Sequence, residues 1–315
     1  MQKNILVTGG AGFIGSHCCD RLLAMGNKLT VIDNFDPFYP ASVKKRNTES
    51  FINDSKVTFI QGDILDKELL KKIEGRFDGI IHLAAKAGVR PSIKDPVGYY
   101  SVNVQGTQNL LEFSRERNIR QFVFGSSSSV YGVNPNFPWR EADSELDPIS
   151  PYAASKIAAE LMGKVYSGLY GINFIALRFF TVFGPRQRPD LAIHNFSRKI
   201  LSGDLINFYG DGSTRRDYTF ISDIVDGIVA SLDLFSSGFE IINLGNNRPV
   251  TLNELLKTLE DVLGSKAVIN KMPEQPGDVP VTYADISKAQ NLLRYSPRVG
   301  LREGMELFKK WLDEQ

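Results

Sequence analysis

Hydrophobic and polar positions in the first half of the chain alternate between two periods. Short apolar runs rich in β-branched residues, each bounded by glycine or a polar residue, are typical of buried parallel strands. Between them, apolar residues recur every three to four positions, which is typical of amphipathic helices. The predicted strands lie at 4–8, 29–32, 57–61, 78–83 and 121–125. This alternation predicts an α/β fold, with a doubly wound parallel sheet flanked by helices.

The second half of the chain has shorter and more mixed elements. Strands are predicted at 205–208, 218–221 and 239–244, and helices at 189–201, 222–234, 251–263 and 302–312. Ser222 or Asp223 is expected near the N-cap of the second of these helices. We therefore predict a large domain over residues 1–180, which a segment near 217–244 rejoins, and a smaller α/β domain over 181–315.

Three glycines, Gly9, Gly12 and Gly15, stand between the first predicted strand and the first helix. In a G-x-x-G-x-x-G pattern they permit a tight turn, a close approach to a pyrophosphate, and packing of the helix on the sheet. The helix N-terminus then offers free N–H groups to the phosphates. Asp33 ends the second strand, where a carboxylate can hold ribose hydroxyls and repel a 2′-phosphate. The pattern predicts a dinucleotide site that prefers NAD to NADP.

Composition excludes several classes of protein. The chain has 315 residues, 42% hydrophobic and 23% charged, and a formal net charge of +1, which gives no general attraction to nucleic acid or membranes. No apolar run reaches the ~18 residues of a membrane span, and no signal peptide precedes the first strand. Cys18 and Cys19 are adjacent in sequence, so they are poor disulfide partners. Their spacing does not match that of metal ligands. We expect a soluble, cytoplasmic protein that binds no metal.

Several polar positions have two interpretations. Asp63, at the end of the third strand, can contact adenine or cap the next helix. Asn103 lies within the helical pattern over 95–117, where asparagine is a poor helix former, so we expect a local polar role. The run Lys44-Lys45-Arg46 is interpreted as solvated surface.

Tyr152 and Lys156 are the main candidates for catalysis. Both lie in a predicted helix over 151–169, and residues four apart share one helix face. A nearby ammonium is expected to lower the pKa of the phenol, which is ordinarily about 10. Ser126-Ser127-Ser128-Ser129 follows the fifth strand, so a serine hydroxyl can relay a proton to Tyr152. With a nicotinamide cofactor, these groups suit the oxidation of a secondary alcohol.

The whole chain resembles the extended short-chain dehydrogenase/reductase family of nucleotide-sugar enzymes. The resemblance rests on the glycine triplet and on Tyr152-x-x-x-Lys156, together with the stretches 82–85, 126–132, 178–186, 210–212, 216–218 and 276–278. Residues 87–92 and 187–190 look more narrowly like UDP-glucuronate 4-epimerases. Aligning Val130-Tyr131-Gly132 places Ser127 at the catalytic serine or threonine.

The resemblance implies a redox-neutral isomerase that interconverts UDP-glucuronate and UDP-galacturonate through a transient 4-keto sugar. NAD is expected to stay tightly bound and to be regenerated in each turnover. The catalytic residues would be Tyr152, Lys156 and Ser127. The cofactor would contact residues in both halves of the sheet, namely Gly9, Gly12, Phe13, Ile14, Gly15, Asp33, Asn34, Asp63, Ile64, Leu83, Ala84, Ala85, Lys86, Asn103, Tyr152 and Lys156.

A uronate adds one demand, because its 4-keto form is a β-keto acid that loses carbon dioxide when the carboxylate lies perpendicular to the carbonyl. A bidentate arginine assisted by hydroxyls can hold that carboxylate in another orientation. The candidates are Arg188 and Thr181, with Ser128 and Ser129 as supporting donors, and Arg90 is a second candidate. The resemblance also implies that Arg216 and Asp278 hold the nucleotide, whereas Gln275 replaces a second phosphate-binding arginine of some relatives. The substrate-binding residues would be Arg90, Ser127, Ser128, Ser129, Thr181, Arg188, Arg216 and Asp278.

Three alternatives stay open. The first is a 4-epimerase for UDP-glucose or UDP-N-acetylglucosamine. The second is a UDP-glucuronate decarboxylase, although relatives with that activity carry glutamate at the position of Ser129. The third is a non-catalytic NAD-binding protein. Relatives commonly form homodimers through helices that correspond to about 95–117 and 151–169, and a homodimer is expected here.

Overall fold

The computed structural model describes residues 2–143, 146–234, 238–273 and 279–315. Its strands, in chain order, are β1 (Asn4–Thr8), β2 (Lys28–Asp33), β3 (Val57–Gln61), β4 (Gly79–His82), β5 (Gln121–Ser127), β6 (Asn173–Phe179), β7 (Thr181–Phe183), β8 (Leu205–Tyr209), β9 (Arg215–Phe220), β10 (Phe239–Leu244), β11 (Pro249–Thr251) and β12 (Val268–Met272).

The α-helices account for most of the remaining chain. They are α1 (Phe13–Ala24), α2 (Ala41–Thr48), α3 (Lys67–Lys72), α4 (Val89–Lys94), α5 (Pro96–Tyr100), α6 (Gly106–Glu116), α7 (Pro151–Tyr170), α8 (Ala192–Ser202), α9 (Ile221–Ser231), α10 (Leu252–Leu263), α11 (Ser287–Leu293) and α12 (Leu301–Asp313). A π-helical turn at Ser101–Gln105 joins α5 to α6, and a 3₁₀ turn at Ser128–Tyr131 follows β5.

Seven parallel strands form the central sheet, in the order β10-β6-β5-β4-β1-β2-β3. The order reverses beside β1, whose neighbours are β2 and β4. In such sheets the crevice outside the carboxyl ends of the strands at this switch point is where ligands bind. The structure confirms the predicted doubly wound, Rossmann-type fold.

Strand β10 lies late in the chain and forms one edge of the central sheet. It pairs in parallel with β6, from Phe239 opposite Phe174 to Leu244 opposite Phe179, so the prediction that this strand rejoins the sheet is confirmed. Strand β9, by contrast, lies in a separate three-stranded sheet between β11 and β7. Within the predicted segment near 217–244, β10 is therefore the strand that joins the large sheet, and the division of the chain into two domains stays a prediction.

Helix α7 has strong local signals at both ends. The Ser150 hydroxyl accepts from the Ala153 amide at 3.1 Å, Pro151 occupies the first turn, and Gly171 ends the helix with φ +64°. Serine caps, first-turn proline and left-handed glycine are favourable at these places. The predicted boundaries therefore lie within one residue of the observed ones, and the helix holds Tyr152 and Lys156 in fixed register.

Two predicted helices differ from the structure. The helix predicted over 95–117 is divided into α5, the π-helical turn and α6, because the turn around Asn103 follows a different hydrogen-bond pattern. Helix α9 covers Ile221–Ser231 rather than 222–234; Phe220 is its N-cap, and Asp223 lies in its first turn, near the cap as predicted. The Asp223 carboxylate accepts the backbone amides of Arg298 and Val299, at 3.1 and 3.2 Å.

Within the described ranges, no helix is both long enough and apolar enough to cross a membrane. Cys18 and Cys19 are fully buried free thiols of α1. Burial raises the pKa of both thiols, so they pack as small apolar groups rather than as reactive thiolates.

Candidate active site

A cavity of about 380 Å³ opens at the carboxyl ends of the parallel strands. It brings together most of the predicted site residues, which come from the ends of β1 to β6 and from α7. The predicted residues that line it are Gly9, Gly12, Phe13, Ile14, Gly15, Asp33, Asn34, Asp63, Ile64, Leu83, Ala84, Ala85, Lys86, Ser127, Tyr152, Lys156, Thr181 and Arg188.

The glycine turn at the mouth of β1 leaves no room for side chains. Gly9 has φ +75°, and a Cβ there would lie 2.6 Å from the Ala84 amide nitrogen; a Cβ on Gly15 would lie 2.1 Å from the Gly9 carbonyl oxygen. Gly12 precedes α1 without a side-chain cap, so the first amides of the helix face the cavity uncapped. A tight glycine cradle at a helix N-terminus fits a pyrophosphate.

Asp33 lies beside this cradle. Its carboxylate accepts the Ala11 amide at 3.0 Å and the Phe35 amide at 2.8 Å, and burial raises its pKa. A buried carboxylate in this position fits the ribose end of a dinucleotide. The residues of this part of the cavity therefore suit an NAD molecule.

Lys44 is buried in the cavity wall, so its interpretation as solvated surface was wrong. Its ammonium donates to the Asp36 carbonyl at 2.8 Å and lies 4.7 Å from the centroid of the Tyr39 ring. Burial lowers the pKa of Lys44, while the charges of Asp33 and Asp36 act in the opposite direction. The basic sequence Lys44-Lys45-Arg46 does not by itself reveal the contacts that accommodate this buried cation.

Asp63 does not cap the following helix. Its carboxylate accepts the Leu65 amide at 2.9 Å and the Asn34 side chain at 2.8 Å, whereas Asp66 caps α3. Asp63 lines the cavity, so a contact with adenine remains the prediction for this residue.

Asn103 lies below the cavity and is not among the lining residues. Its amide accepts from the Lys86 backbone nitrogen at 2.8 Å and donates to the Lys86 carbonyl at 2.9 Å. It also donates to the Ser155 hydroxyl at 2.9 Å. The expected polar role is thus to hold the loop after β4 against α7, and the structure shows no direct place for Asn103 in the cavity.

Tyr152 and Ser127 face one another across the cavity floor. Both side chains line the cavity, and the Ser127 hydroxyl accepts from the Ser129 hydroxyl at 2.9 Å. Burial raises the pKa of Tyr152, while the Ser127 hydrogen bond and the charge of Arg188 lower it. From the sequence we expect a nearby lysine to lower the pKa of Tyr152. That expectation is wrong for the protein alone, because burial raises the pKa and outweighs the other effects.

Lys156 is buried one turn further along α7. Its ammonium donates to the Gly125 carbonyl at 2.6 Å and lies 6.0 Å from the centroid of the Tyr152 ring. Burial lowers the pKa of Lys156 to about 7, and the charge of Glu160 opposes this change. Small changes around Lys156 can therefore decide its charge at neutral pH.

A buried polar cluster connects the catalytic strand end to α7. Glu160 receives the Ser126 hydroxyl at 2.5 Å and two guanidinium nitrogens of Arg178, at 3.0 and 2.7 Å. All three side chains are buried. The serines at the end of β5 and in the following turn thus have different contacts. Ser126 joins this cluster, Ser127 faces Tyr152, and Ser129 donates a hydrogen bond to Ser127.

Arg188 lines the cavity from the loop after β7, and Thr181 lines it too. The Arg188 guanidinium donates to both carboxylate oxygens of Asp190, at 3.0 and 2.7 Å. Burial disfavours the charged guanidinium, but these bonds outweigh that effect, so the pKa of Arg188 is raised.

Other predicted residues lie away from the cavity. Arg90 is exposed on α4, with its guanidinium 5.6 Å from the centroid of the Tyr209 ring. Ser128 and Ser129 lie in the 3₁₀ turn, and Arg216 lies on β9, where it donates to the Arg215 carbonyl. Asp278 and Gln275 lie outside the described residues.

Sequence reasoning missed several residues of the site. Phe38, Tyr39, Lys44 and Tyr99 line the cavity but carry no motif of their own. Glu160 had a usable signal, because it follows Lys156 by four positions on the same helix face. Among the described residues, no three His, Cys, Asp or Glu side chains are grouped in a way that could hold a metal ion.

Comparison with known proteins places this arrangement in a family. Residues 5–245 match the model of the NAD dependent epimerase/dehydratase family. A UDP-glucuronate 4-epimerase of Thermodesulfobacterium geofontis is 39% identical over 98% of this chain and 96% of its own length.

Solved structures extend the similarity to the whole fold. The UDP-glucuronic acid 4-epimerase of Bacillus cereus, in complex with UDP-glucuronic acid and NAD, is 38% identical with a TM-score of 0.91 over 99% of both chains. A UDP-glucose 4-epimerase of Thermotoga maritima, with UDP-glucose, is 32% identical with the same TM-score and coverage. The chain therefore belongs to the NAD dependent epimerase/dehydratase family, as an NAD-dependent nucleotide-sugar 4-epimerase.

Proposed function

We propose that the substrate is a UDP-hexuronic acid and that the enzyme interconverts UDP-glucuronate and UDP-galacturonate. The observation that carries this proposal is the presence of Arg188 in the same cavity as Tyr152 and Ser127. The charge of Arg188 lowers the pKa of Tyr152, and both side chains line this cavity. A cation beside the catalytic hydroxyls suits a sugar that carries a carboxylate.

Tyr152 is proposed to take the proton of the sugar 4-hydroxyl, directly or through Ser127, and to return it after the sugar has turned over. NAD, held by the glycine turn, Asp33 and Lys156, would supply the reversible uptake of a hydride from the sugar. Burial in the protein alone keeps Tyr152 protonated, so each added positive charge near the phenol favours its role as a base. Ser127 and Arg188 already act in that direction.

Lys156 is proposed to hold the nicotinamide ribose and to set the local charge. Its pKa of about 7 makes it responsive to ligands, because a hydroxyl group that accepts from the ammonium favours its protonated form. Gly125 already fixes the ammonium through a backbone carbonyl. The cofactor-binding assignments of the glycine loop, Asp33 and Asp63 are proposed on the same basis of position.

The chemistry of the keto intermediate gives Arg188 a second role. A 4-keto uronate loses carbon dioxide when its carboxylate is perpendicular to the carbonyl, so an enzyme that epimerises must hold the carboxylate elsewhere. Arg188, with Thr181 on the same wall, is proposed to do this. Ser129 occupies the position at which dehydratases and decarboxylases of the resembling families carry a glutamate.

A neutral UDP-sugar is the second candidate, since the Thermotoga maritima neighbour acts on UDP-glucose with the same fold. The two candidates make different demands on Arg188, because a neutral sugar offers no carboxylate to the guanidinium. We also propose that residues 1–180, with β10, form the cofactor domain and that residues 181–315 provide most contacts to the nucleotide sugar.

Product analysis by NMR tests the proposal. The purified protein, with no NAD added, is incubated with UDP-glucuronate and separately with UDP-glucose. UDP-galacturonate from the first incubation is the expected result, and would show that NAD is carried through purification. Conversion of UDP-glucose alone would overturn the uronate assignment, and UDP-xylose or a 4-keto pentose would identify a decarboxylase.

A further inference from the structure

The guanidinium of Arg188 is held on three sides. Asp190 accepts from Nε at 3.0 Å and from Nη2 at 2.7 Å, and the Ala87 carbonyl lies 3.4 Å from Nη2. The Phe38 ring centroid lies 5.1 Å from Cζ, so the planar group also packs against an aromatic ring. An arginine with these contacts has lost most of the rotamer freedom that a long side chain ordinarily keeps.

Asp190 acts from outside the cavity. Arg188 is among the described residues that line it, whereas Asp190 is not, and the side chains are 15% and 38% exposed, respectively. A carboxylate on the solvent side does not occupy the place that a substrate carboxylate would take. Asp190 is therefore placed to orient Arg188 rather than to compete with a ligand for it.

Phe38 supports Arg188 from the cofactor side. It lies five residues after Asp33, in the loop between β2 and α2, and its side chain lines the cavity although it is 46% exposed. An exposed phenylalanine on a loop gains little from burial, but an aromatic face is a favourable surface for a guanidinium plane. The contact explains why an apolar ring is held at the cavity mouth.

We propose that Asp190 and Phe38 are positioning residues that fix Arg188 for recognition of the carboxylate of a nucleotide-linked hexuronic acid. This inference rests on the proposed function. Because Asp190 offsets the charge of Arg188, the recognition depends on the orientation of the donors and not on net positive charge. A lysine at this position would keep the charge but lose both the fork and the ring contact.

Kinetics and product analysis of matched variants test the inference. For Asp190→Asn, which loses the charge and one of the two bonds, the KM for UDP-glucuronate is expected to rise roughly tenfold, because a charge-assisted hydrogen bond that orients Arg188 is lost. For Phe38→Leu a rise of roughly threefold is expected, since the ring contact is partly exposed. In both variants the share of decarboxylated product should increase, because the carboxylate is held less firmly.

The conservative variants Asp190→Glu and Phe38→Tyr keep the carboxylate and the aromatic ring, and should recover much of the lost affinity. Phe137→Leu replaces a phenylalanine of similar exposure, 41%, outside the cavity lining, and should behave as wild type. The Kd for UDP, which has no sugar carboxylate, should change less than twofold in Asp190→Asn.

Two results would overturn the inference and leave the proposed function intact. One is tighter binding of UDP-glucuronate by Asp190→Asn, which would make Asp190 a competitor. The other is an unchanged KM and product ratio in both variants while wild type epimerises UDP-glucuronate. A wild-type enzyme that converts only UDP-glucose would instead overturn the proposed function, and this inference with it.

Discussion

Glu160 lies one helical turn beyond Lys156 on α7, so a buried carboxylate and a buried ammonium share one face of the helix. The charge of Glu160 opposes the lowering of the Lys156 pKa by burial. Arg178 and Ser126 hold the same carboxylate, which ties the charge of Lys156 to the strand end that carries Ser127.

For Glu160→Gln we expect two separable effects. The pKa of Lys156 should fall further below 7, so the basic limb of the kcat profile between pH 5.5 and 9 should move to lower pH. The variant also leaves Arg178 as a buried cation without its carboxylate, which should cost about 3–5 kcal/mol in urea unfolding. An unmoved basic limb with lower amplitude would show that Glu160 has only a structural role. Glu116→Gln, on the exposed side of α6, is the control.

Tyr152→Phe should lower turnover by at least about 100-fold, since a positioned proton acceptor contributes 10²–10⁴-fold. The ring still fills its place, so the NAD content of the purified protein, measured after denaturation, should match wild type. Tyr170→Phe changes an exposed tyrosine at the end of the same helix and is the matched control. Normal turnover by Tyr152→Phe would remove this residue from the proposed mechanism.

Arg188→Met should weaken the use of UDP-glucuronate and raise the share of decarboxylated product. Loss of a charge-assisted hydrogen bond to the substrate worth about 2 kcal/mol corresponds to roughly a 30-fold rise in KM. Arg186→Met is the control, because Arg186 pairs with Asp20 at 2.7 Å and does not line the cavity. If Arg188→Met handled UDP-glucuronate like wild type, the carboxylate contact would have to lie elsewhere.

The buried, neutral side chain of His82 leads us to expect that the folded protein loses stability in acid. It is buried between Thr8 and Thr107, with ring nitrogens 2.7 and 3.0 Å from their hydroxyl oxygens, and burial with the nearby Lys156 charge lowers its pKa to about 3. Between about pH 6.5 and 3 the unfolded chain binds a proton at this histidine that the folded protein does not, so stability is lost as pH falls through that window. Each pH unit costs up to about 1.4 kcal/mol.

Urea unfolding of wild type and His82→Gln between pH 7.5 and 4.5 checks this prediction. The glutamine variant should be less stable at pH 7.5, because it cannot reproduce both hydrogen bonds, but its stability should fall less steeply below pH 6.5. Parallel curves for the two proteins would contradict the assignment of a neutral buried imidazole.

A homodimer is predicted through the exposed face of α7. Leu161, Val165 and Leu169 stand four residues apart and are 58%, 55% and 69% exposed, which leaves an apolar stripe on a helix that otherwise packs on the sheet. Val165→Glu with Leu169→Glu should convert a dimer into a monomer in sedimentation velocity. Leu205→Glu, at a 51% exposed position of β8, should leave the association state unchanged. A wild-type monomer would contradict the prediction.

Strands and the glycine turn could be predicted because their signals are local. Apolar runs such as 4–8 and 57–61 coincide with β1 and β3 to the residue, and the ends of α7 followed from serine, proline and glycine chemistry. The site was predictable where spacing fixes geometry, as for Tyr152 and Lys156 on one helix.

What sequence could not provide was the tertiary surroundings of charged groups. Lys44 is buried because the loop before α2 folds back and brings Asp36 and Tyr39 onto its ammonium, and the residue types alone do not predict that loop conformation. The pKa of Tyr152 likewise depends on how much of the phenol is buried, which outweighs the nearby cations. Such balances are decided by packing between distant elements.

The edge strand β10 has a consequence for synthesis on the ribosome. The pairing of β10 with β6 can form only after about residue 244 has emerged. The side chains of Gln121 and Asn173 also bond to carbonyls late in the chain, those of Ser231 and Leu234. Until then β6 is an unpaired, apolar edge, of the kind that invites pairing with another chain. The nascent protein must therefore keep that edge protected while more than 60 further residues are translated, and a chain stopped near residue 180 is expected to aggregate.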